Sequence, residues 1–175
     1  MKIHTNIKCN TCGLNNFATD RKQSFLRLYR NLEKTPRRLV DMFTTSNNQV
    51  CQRCGDFNRT ENLLIENHEH TRYLVLFIPQ FTMAKKNCQE IRMTNRIHVE
   101  DTENIIIKSI NNQNISYRIK SAIFHEGEST KNGHYEAWTK NEKRNEWFKI
   151  SDSNVRKFRE LTSLDQAYLI FLEKN

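Results

Sequence analysis

Apolar and polar residues alternate along several short segments, which is the pattern of strands packed on one face. Ile3, Thr5 and Ile7 alternate near the N-terminus and predict a strand over residues 1–8. Residues 117–124 alternate in the same way and predict a half-buried strand. Short apolar segments bounded by polar residues predict further strands at 24–29, 104–110, 134–139, 146–150 and 167–172.

Residues 73–78 are continuously apolar, which is typical of a strand buried on both faces, and Pro79 ends this strand. Thr35 followed by Pro36 predicts a helix start, because a capping hydroxyl precedes proline at the first helical position. The apolar face of this helix would carry Leu39, Val40 and Phe43. A polar loop is predicted at 44–50 and an irregular charged segment at 82–101.

Many strands, short turns and little helix predict an antiparallel sheet in an α+β arrangement. The chain has 175 residues, which fits one domain or one domain with a small lobe. We expect the lobe to comprise residues 1–70 and the main body to comprise residues 71–175.

Two cysteine pairs carry the most specific chemistry in the sequence. Cys9 and Cys12 form one C-x-x-C pair, Cys51 and Cys54 form a second, and glycine follows each pair directly. Each pair places two thiolates on one tight turn, and two such turns complete the four-sulfur tetrahedron of a structural zinc site. The alternatives are two disulfides or four unrelated cysteines.

The N-terminus has no apolar run typical of a signal peptide, and the longest apolar stretch, 73–78, is too short to span a membrane. We therefore expect a soluble intracellular protein whose paired cysteines are metal thiolates. The formal charge of +8 is compatible with nucleic acid or an acidic partner. However, the basic residues are scattered in runs of at most two, which is typical of a solvated surface and argues against nucleic acid.

Five features in a fixed order cover nearly the whole chain and resemble the ubiquitin-specific proteases, which are papain-like cysteine deubiquitinases. They are the two C-x-x-C pairs, the apolar strand 73–81 with its closing aromatic residue, His125-Glu126-Gly127 followed by Gly133-His134-Tyr135, the tryptophan strand 147–152, and the closing strand 167–171. The resemblance implies a papain-like palm with an antiparallel sheet, a zinc-binding fingers lobe, and ubiquitin or a ubiquitinated protein as the partner.

The resemblance also implies a thumb with a nucleophile box of the form G-N-T-C-x-x-N ahead of the fingers. No room for a thumb lies before Cys9, so we expect it to be absent from this chain or present as a separate half. Cys12 lies in a segment that looks like this box, but a nucleophilic Cys12 would leave the zinc site with three ligands. Cys88 has no supporting pattern, so the sequence offers no convincing nucleophile.

By the same resemblance, His134 is the general base and Asp152 is the carboxylate that orients its ring. Ser151 departs from the family, which usually has Asp or Asn at that place, and a neutral hydroxyl stabilises an imidazolium less than a carboxylate does. The leading hypothesis is therefore a deubiquitinase-type domain that is incomplete or inactive alone. The alternatives are a non-catalytic ubiquitin-binding zinc module and a basic zinc protein that binds nucleic acid.

Overall fold

The structure is a computed structural model that describes residues 2–19, 25–28, 37–47, 49–66, 71–83, 89–93, 97–99, 104–161 and 163–175. The predicted helix start at Thr35 and Pro36 lies outside these residues, as does Cys88. Within them, no helix has the length and apolar character needed to cross a membrane.

Sixteen strands and one short 3-10 helix, Leu39–Phe43, make up the described secondary structure. The strands are β1 (Lys2–Cys9), β2 (Asn15–Thr19), β3 (Leu26–Arg27), β4 (Arg37–Arg38), β5 (Thr44–Asn47), β6 (Arg59–Glu66), β7 (Tyr73–Phe77), β8 (Phe81–Met83), β9 (Glu90–Arg92), β10 (Ile97–His98), β11 (Ile105–Ser109), β12 (Asn114–Glu126), β13 (His134–Asn141), β14 (Glu146–Ser151), β15 (Asn154–Phe158) and β16 (Ala167–Lys174).

Twelve of these strands form one sheet in the order β15-β14-β13-β12-β11-β6-β1-β2, with β16, β7, β3 and β5 joined to its sides. The long strand β12 pairs with β11 through its first half, with β13 through its second half, and with β16 along most of its length. Strand β6 pairs with β1 and β5 in antiparallel fashion and makes a short parallel pairing with β11. Two small ribbons, β4 with β10 and β8 with β9, lie outside this sheet.

The predicted strands at 1–8, 73–78, 104–110, 117–124, 134–139, 146–150 and 167–172 are confirmed, with small differences in their bounds. The predicted loop at 44–50 is wrong in its first half, because residues 44–47 pair with β6 as β5. The α+β assignment is not confirmed. Across the described residues the helical content is the single 3-10 turn, whose apolar residues Leu39, Met42 and Phe43 pack into the core.

The core forms where alternate residues of neighbouring strands point to the same side of the sheet. Leu76 of β7 and Ile170 of β16 are paired in register and fully buried. They pack in one cluster with Leu39 of the 3-10 helix and with Leu161 and Leu164 of the segment before β16. Full burial of each such side chain stabilises the fold by about 1.5–3 kcal/mol.

A buried carboxylate near the C-terminal end of β16 links this strand to its neighbours, away from the ribbon of β8 and β9. The Glu173 side chain is 7% exposed and accepts hydrogen bonds from Arg118 and Arg72 at 3.0 Å, with Lys120 at 3.6 Å. The hydrogen bonds from Arg118 and then Arg72 lower the pKa of Glu173 to about 2. Strand β16 is thereby linked by charge to β12, with which it also pairs.

We expect Glu173→Gln to destabilise the protein at neutral pH. Because the folded pKa of Glu173, about 2, lies below its ordinary value of 4.5, the stabilising contribution is complete above pH 4.5 and is lost as the pH falls towards 2. Urea unfolding as a function of pH measures this difference. The control is Glu146→Gln, which removes the exposed pair with Lys157 and should change the stability by less than about 1 kcal/mol. Equal stability of the Glu173 variant and the wild type at pH 7 would contradict the assignment.

Candidate functional site

The two cysteine pairs lie on turns that the antiparallel pairing of β1 and β6 brings together. The first turn connects β1 to β2, and the second precedes β6. Cys9, the last residue of β1, lies opposite Arg59, the first residue of β6. The turns that follow β1 and precede β6 therefore meet at one end of the sheet, which we call the knuckle end.

The four cysteine sulfurs form a compact cluster. The Sγ atoms of Cys9 and Cys54 are 3.6 Å apart, as are those of Cys12 and Cys51. All four sulfurs lie within 4.8 Å of one another. A tetrahedral zinc site with Zn–S bonds of about 2.3 Å has S–S edges of about 3.8 Å. The spacing and the all-sulfur donor set therefore fit a structural Zn²⁺ ion.

Backbone geometry shapes both turns in the same way. The N–H of Gly13 donates to the carbonyl of Cys9 at 3.0 Å, and the N–H of Gly55 donates to the carbonyl of Cys51 at 2.9 Å. The two glycines have φ of 72° and 74°, in the left-handed region that residues with a Cβ rarely adopt. The backbone conformation therefore favours glycine after each pair.

Hydrogen bonds between the turns hold the knuckle end together. The amide of Asn10 donates to Asn58 Oδ1 at 2.8 Å and to Thr60 Oγ1 at 2.9 Å. The hydroxyl of Thr11 donates to the carboxylate of Asp56, and this bond lowers the pKa of Asp56. These contacts link the two turns directly.

The thiols differ in acidity because their surroundings differ. The backbone N–H groups of Cys54 and Arg53 lower the pKa of Cys51 to about 6, and the backbone N–H of Cys12 lowers that of Cys9. The backbone N–H of Asp56 acts to lower the pKa of Cys54, but burial and the three neighbouring sulfurs raise it to about 12. Four thiolates at this distance require a cation, which is the role that Zn²⁺ has in such sites.

A second group of polar side chains lies at the adjoining ends of β13 and β14. His134 is the first residue of β13, and its Nε2 lies 2.7 Å from Ser151 Oγ at the end of β14. Asp152 follows Ser151, and its Oδ2 is 4.0 Å from the same nitrogen. The side chain of His134 is 44% exposed, so one side of the imidazole is open to solvent.

The loop before His134 is packed closely on His125. A Cβ on Gly133 would overlap the His125 ring and come within 2.8 Å of the carbonyl oxygen of Glu126. His125 is 4% exposed and contacts the rings of Phe81 and Tyr135, with centroids 5.9 and 4.7 Å away. Glycine at 133 therefore permits the chain to enter β13 directly beside the buried imidazole.

The ribbon of β8 and β9 contacts the loop that precedes His134 and helps to hold it in place. Glu90 accepts the backbone N–H of Thr130 at 2.9 Å, and this bond lowers the pKa of Glu90. Arg92 donates to the carbonyl of His125 at 3.0 Å and lies over the Phe81 ring at 5.6 Å. The sequence did not reveal these contacts, because residues 82–101 have no regular pattern.

A shallow cavity of about 490 Å³ lies on the sheet formed by β1, β2, β6 and β11. Phe17, which is 63% exposed, lines it together with Lys8 and Lys108. Amide side chains form much of the remaining wall, namely Asn6, Asn15, Asn62 and Asn112.

The structure thus brings Cys9, Cys12, Cys51 and Cys54 into one cluster. It places His134 in contact with Ser151 and 4.0 Å from Asp152. Cys12 lies among the other sulfurs, 3.6 Å from Cys51, as expected for a metal ligand. Ser151 was visible in the sequence only as a departure from the family pattern.

Comparison with known proteins gives a consistent result. The family model for ubiquitin carboxyl-terminal hydrolase matches residues 2–172. Ubiquitin carboxyl-terminal hydrolase 26 of Oryza sativa subsp. japonica is 25% identical over 167 residues, which cover 86% of this chain and 15% of that protein. The chain therefore spans about one seventh of the length of this curated relative.

Solved structures share the fold. A chain of the yeast SAGA DUB module with a mutant Sgf73 superimposes with a TM-score of 0.64 at 22% identity, covering 99% of this chain and 40% of that one. The Ubp8-Sgf11-Sgf73-Sus1 SAGA DUB module gives 0.62 at 22% identity, covering 99% and 39%. This chain therefore corresponds to less than half of each of those chains.

We expect Cys12→Ser to weaken Zn²⁺ binding at least about a hundredfold and to lower the thermal midpoint, because one of four ligands is lost. Chelator competition and thermal unfolding of the purified chain measure the two effects. Cys88→Ser, which lies outside both C-x-x-C pairs, is the matched control and should keep one zinc per chain. Full zinc affinity in the Cys12 variant would show that its sulfur is not a ligand.

Gly133→Ala should destabilise the protein by about 1–3 kcal/mol, because the added methyl group overlaps the buried His125 ring. Denaturant unfolding measures the loss, and the ring resonances of His125 report the local displacement. Glu128→Ala changes an exposed side chain of the same loop and should have little effect. Unchanged stability in Gly133→Ala would mean that the loop lies farther from His125.

Proposed function

Because the chain belongs to the ubiquitin carboxyl-terminal hydrolase family, we propose that it supplies the ubiquitin-binding and proton-transferring part of a deubiquitinase. The observation that carries the proposal is the pair of His134 and Ser151, which holds Nε2 of the imidazole and leaves Nδ1 for a reacting thiol. In this proposal, residues 1–70 are zinc-binding fingers and residues 71–175 are the palm of a papain-like fold. The protein acts on intracellular ubiquitin or ubiquitinated proteins.

The attacking thiol comes from outside the described residues. All four described cysteines lie in one cluster at the knuckle end, where each is suited to ligate zinc. A nucleophile there would leave three thiolates around the metal. The family's thumb, as a separate half or another segment, is the source that the resemblance implies, and in this proposal the 175 residues are incomplete or inactive alone.

His134 has the role of an acid–base catalyst in this scheme. Its Nδ1 takes the proton of the cysteine thiol, and the thiolate then attacks the carbonyl carbon of the bond after the ubiquitin C-terminus. The C–N bond breaks as the imidazolium returns the proton to the leaving amine. Water then hydrolyses the thioester: His134 takes one water proton, hydroxide adds to the carbonyl carbon, and the thiolate leaves to regain its proton.

The cavity on β1, β2, β6 and β11 is the proposed contact for the globular body of ubiquitin. It combines an exposed aromatic ring, Phe17, with two lysines and several amides, which is a composition suited to protein recognition. A Zn²⁺ ion held by Cys9, Cys12, Cys51 and Cys54 would stabilise the turns that end β1 and precede β6, which is a structural role.

A non-catalytic ubiquitin-binding module is the second candidate, and the commitment of every described thiol to the metal cluster favours it. A nucleic-acid-binding role has less support. Several basic side chains are paired with carboxylates, including Arg72 and Arg118 with Glu173, Lys149 with Glu136, and Lys157 with Glu146. Pairing of this kind reduces the charge available to phosphates.

We expect the purified chain to bind ubiquitin reversibly, and Phe17→Ala to weaken binding at least about fivefold, because buried aromatic anchors contribute more than about 1 kcal/mol to interfaces. Calorimetric titration measures the affinity. The matched control is Val155→Ala on β15, which truncates an apolar side chain that is 60% exposed and lies outside the cavity. Equal losses in the two variants would argue against the cavity as the contact.

A covalent ubiquitin probe separates the two candidate functions. If the 175-residue chain binds the probe reversibly and is not labelled, the result agrees with a missing thiol. If covalent labelling appears only when a thumb half is added, and requires His134, the result indicates the enzyme. An adduct mapped to Cys12 would overturn both the zinc assignment and the external nucleophile. Salt-sensitive binding to RNA or DNA without ubiquitin binding would support the nucleic-acid role instead.

A further inference from the structure

We propose that Ser151, rather than Asp152, positions the imidazole of His134. The proposal rests on the function proposed above, in which His134 is the base. It assigns the orienting contact to an uncharged hydroxyl at a place where the resemblance leads one to expect Asp or Asn. Three features carry it: the turn between β14 and β15, the exposure of Asp152, and the distances to Nε2.

The hairpin of β14 and β15 separates Ser151 and Asp152 although they are adjacent in sequence. Ser151 pairs with Asn154 as the last pair of the ladder, so Asp152 and Ser153 form the two-residue turn. Asp152 has φ of 50°, which is the left-handed region that Asp tolerates in turns. Ser151 therefore still belongs to the strand, whereas Asp152 belongs to the turn.

The different solvent exposures of the Ser151 and Asp152 side chains follow from this placement. The Asp152 side chain is 83% exposed, as expected for a turn residue directed to solvent. Ser151 is half-buried beside His134. An orienting group must itself be held in place, and the strand ladder holds Ser151 more firmly than the turn holds Asp152.

The distances to the ring nitrogen decide between the two residues. Nε2 carries at most one hydrogen, so it makes one strong hydrogen bond as a donor. Ser151 Oγ is at 2.7 Å, within hydrogen-bond range, whereas Asp152 Oδ2 is at 4.0 Å and outside it. Donation from Nε2–H to Ser151 Oγ leaves a lone pair on Nδ1, which is the atom that must accept the thiol proton.

The consequence is a base that is oriented without full charge compensation. A hydroxyl fixes the ring and its tautomer but adds no negative charge beside the imidazolium. The Asp152 carboxylate contributes only a longer-range attraction, which solvent screens at this exposure. Ser151 is thus a positioning residue that acts through His134.

The experiment measures how fast the Nε2 proton of His134 exchanges with water, by nitrogen-resolved NMR of the purified 175-residue chain. In Ser151→Ala we expect exchange of this proton with water to accelerate about tenfold, because the hydrogen bond that retains it is lost. Ser151→Thr keeps the hydroxyl and should restore slow exchange. Asp152→Asn removes the charge but suits the turn and should stay within about twofold of wild type. Ser153→Ala removes a neighbouring exposed hydroxyl as the control.

Three results would overturn the proposal. One is acceleration in Asp152→Asn with little change in Ser151→Ala, which would assign the contact to the carboxylate. Another is similar exchange in all variants, and the third is a wild-type ring that carries its proton on Nδ1. None of these measurements depends on ubiquitin binding or on the external thiol, so this inference and the proposed function can fail separately.

Discussion

Backbone pairing along β12 is the constraint on which the rest of the structure depends. Its 13 residues are long enough to pair with β11 and then β13, while β16 pairs along much of the strand. Because unpaired backbone groups are costly when buried, this ladder determines the relative positions of the strands around it. The strands that carry the cysteine turns connect to β12 through β6 and β11, and His134 connects to it through β13.

The same ladder explains where the candidate base lies. Glu126 at the end of β12 pairs with His134 at the start of β13, so the loop between them must close within seven residues, 127–133. That loop passes His125, and the close approach at Gly133 leaves no space for a side chain. On the other side of β13, the pairing with β14 brings Ser151 to the ring. The position of His134 is thus a consequence of strand register on both sides.

The sequence predicted the parts of this structure that depend on local chemistry. The cysteine pairs with their glycines predicted the four-sulfur cluster, because ligand type and turn geometry are encoded within five residues. Strongly apolar strands such as 73–78 were predictable because their signal also lies within a few consecutive residues. Strand β6 gave no clear signal, because its first residues, Arg59 to Asn62, are polar and its apolar residues are consecutive. Strand β5 looked like a loop because its pairing with β6 lies in tertiary structure.

The contact of Ser151 with His134, like the pairing of β5 with β6, depends on tertiary structure and was not predictable from local sequence. The family pattern has Asp or Asn at the place of Ser151 and Asp at the place of Asp152, so the resemblance favoured Asp152 as the orienting carboxylate. Whether a residue reaches the ring depends on where the β14–β15 hairpin turns, and a shift of the turn by one residue would exchange the roles of Ser151 and Asp152.

Metal and base also depend on different parts of the ladder. The cysteine sulfurs lie at the ends of β1 and β6, whereas the proposed base lies on β13, between β12 and β14. Three strand contacts, β6 with β11, β11 with β12 and β12 with β13, separate the two sites. Loss of zinc should therefore affect the surface around Phe17 on β2 before it affects the His134 ring. In the proposed function, a metal at the knuckle end stabilises the proposed ubiquitin-contacting surface, whereas the proposed acid–base residue depends on the strands that pair with β12 and β13.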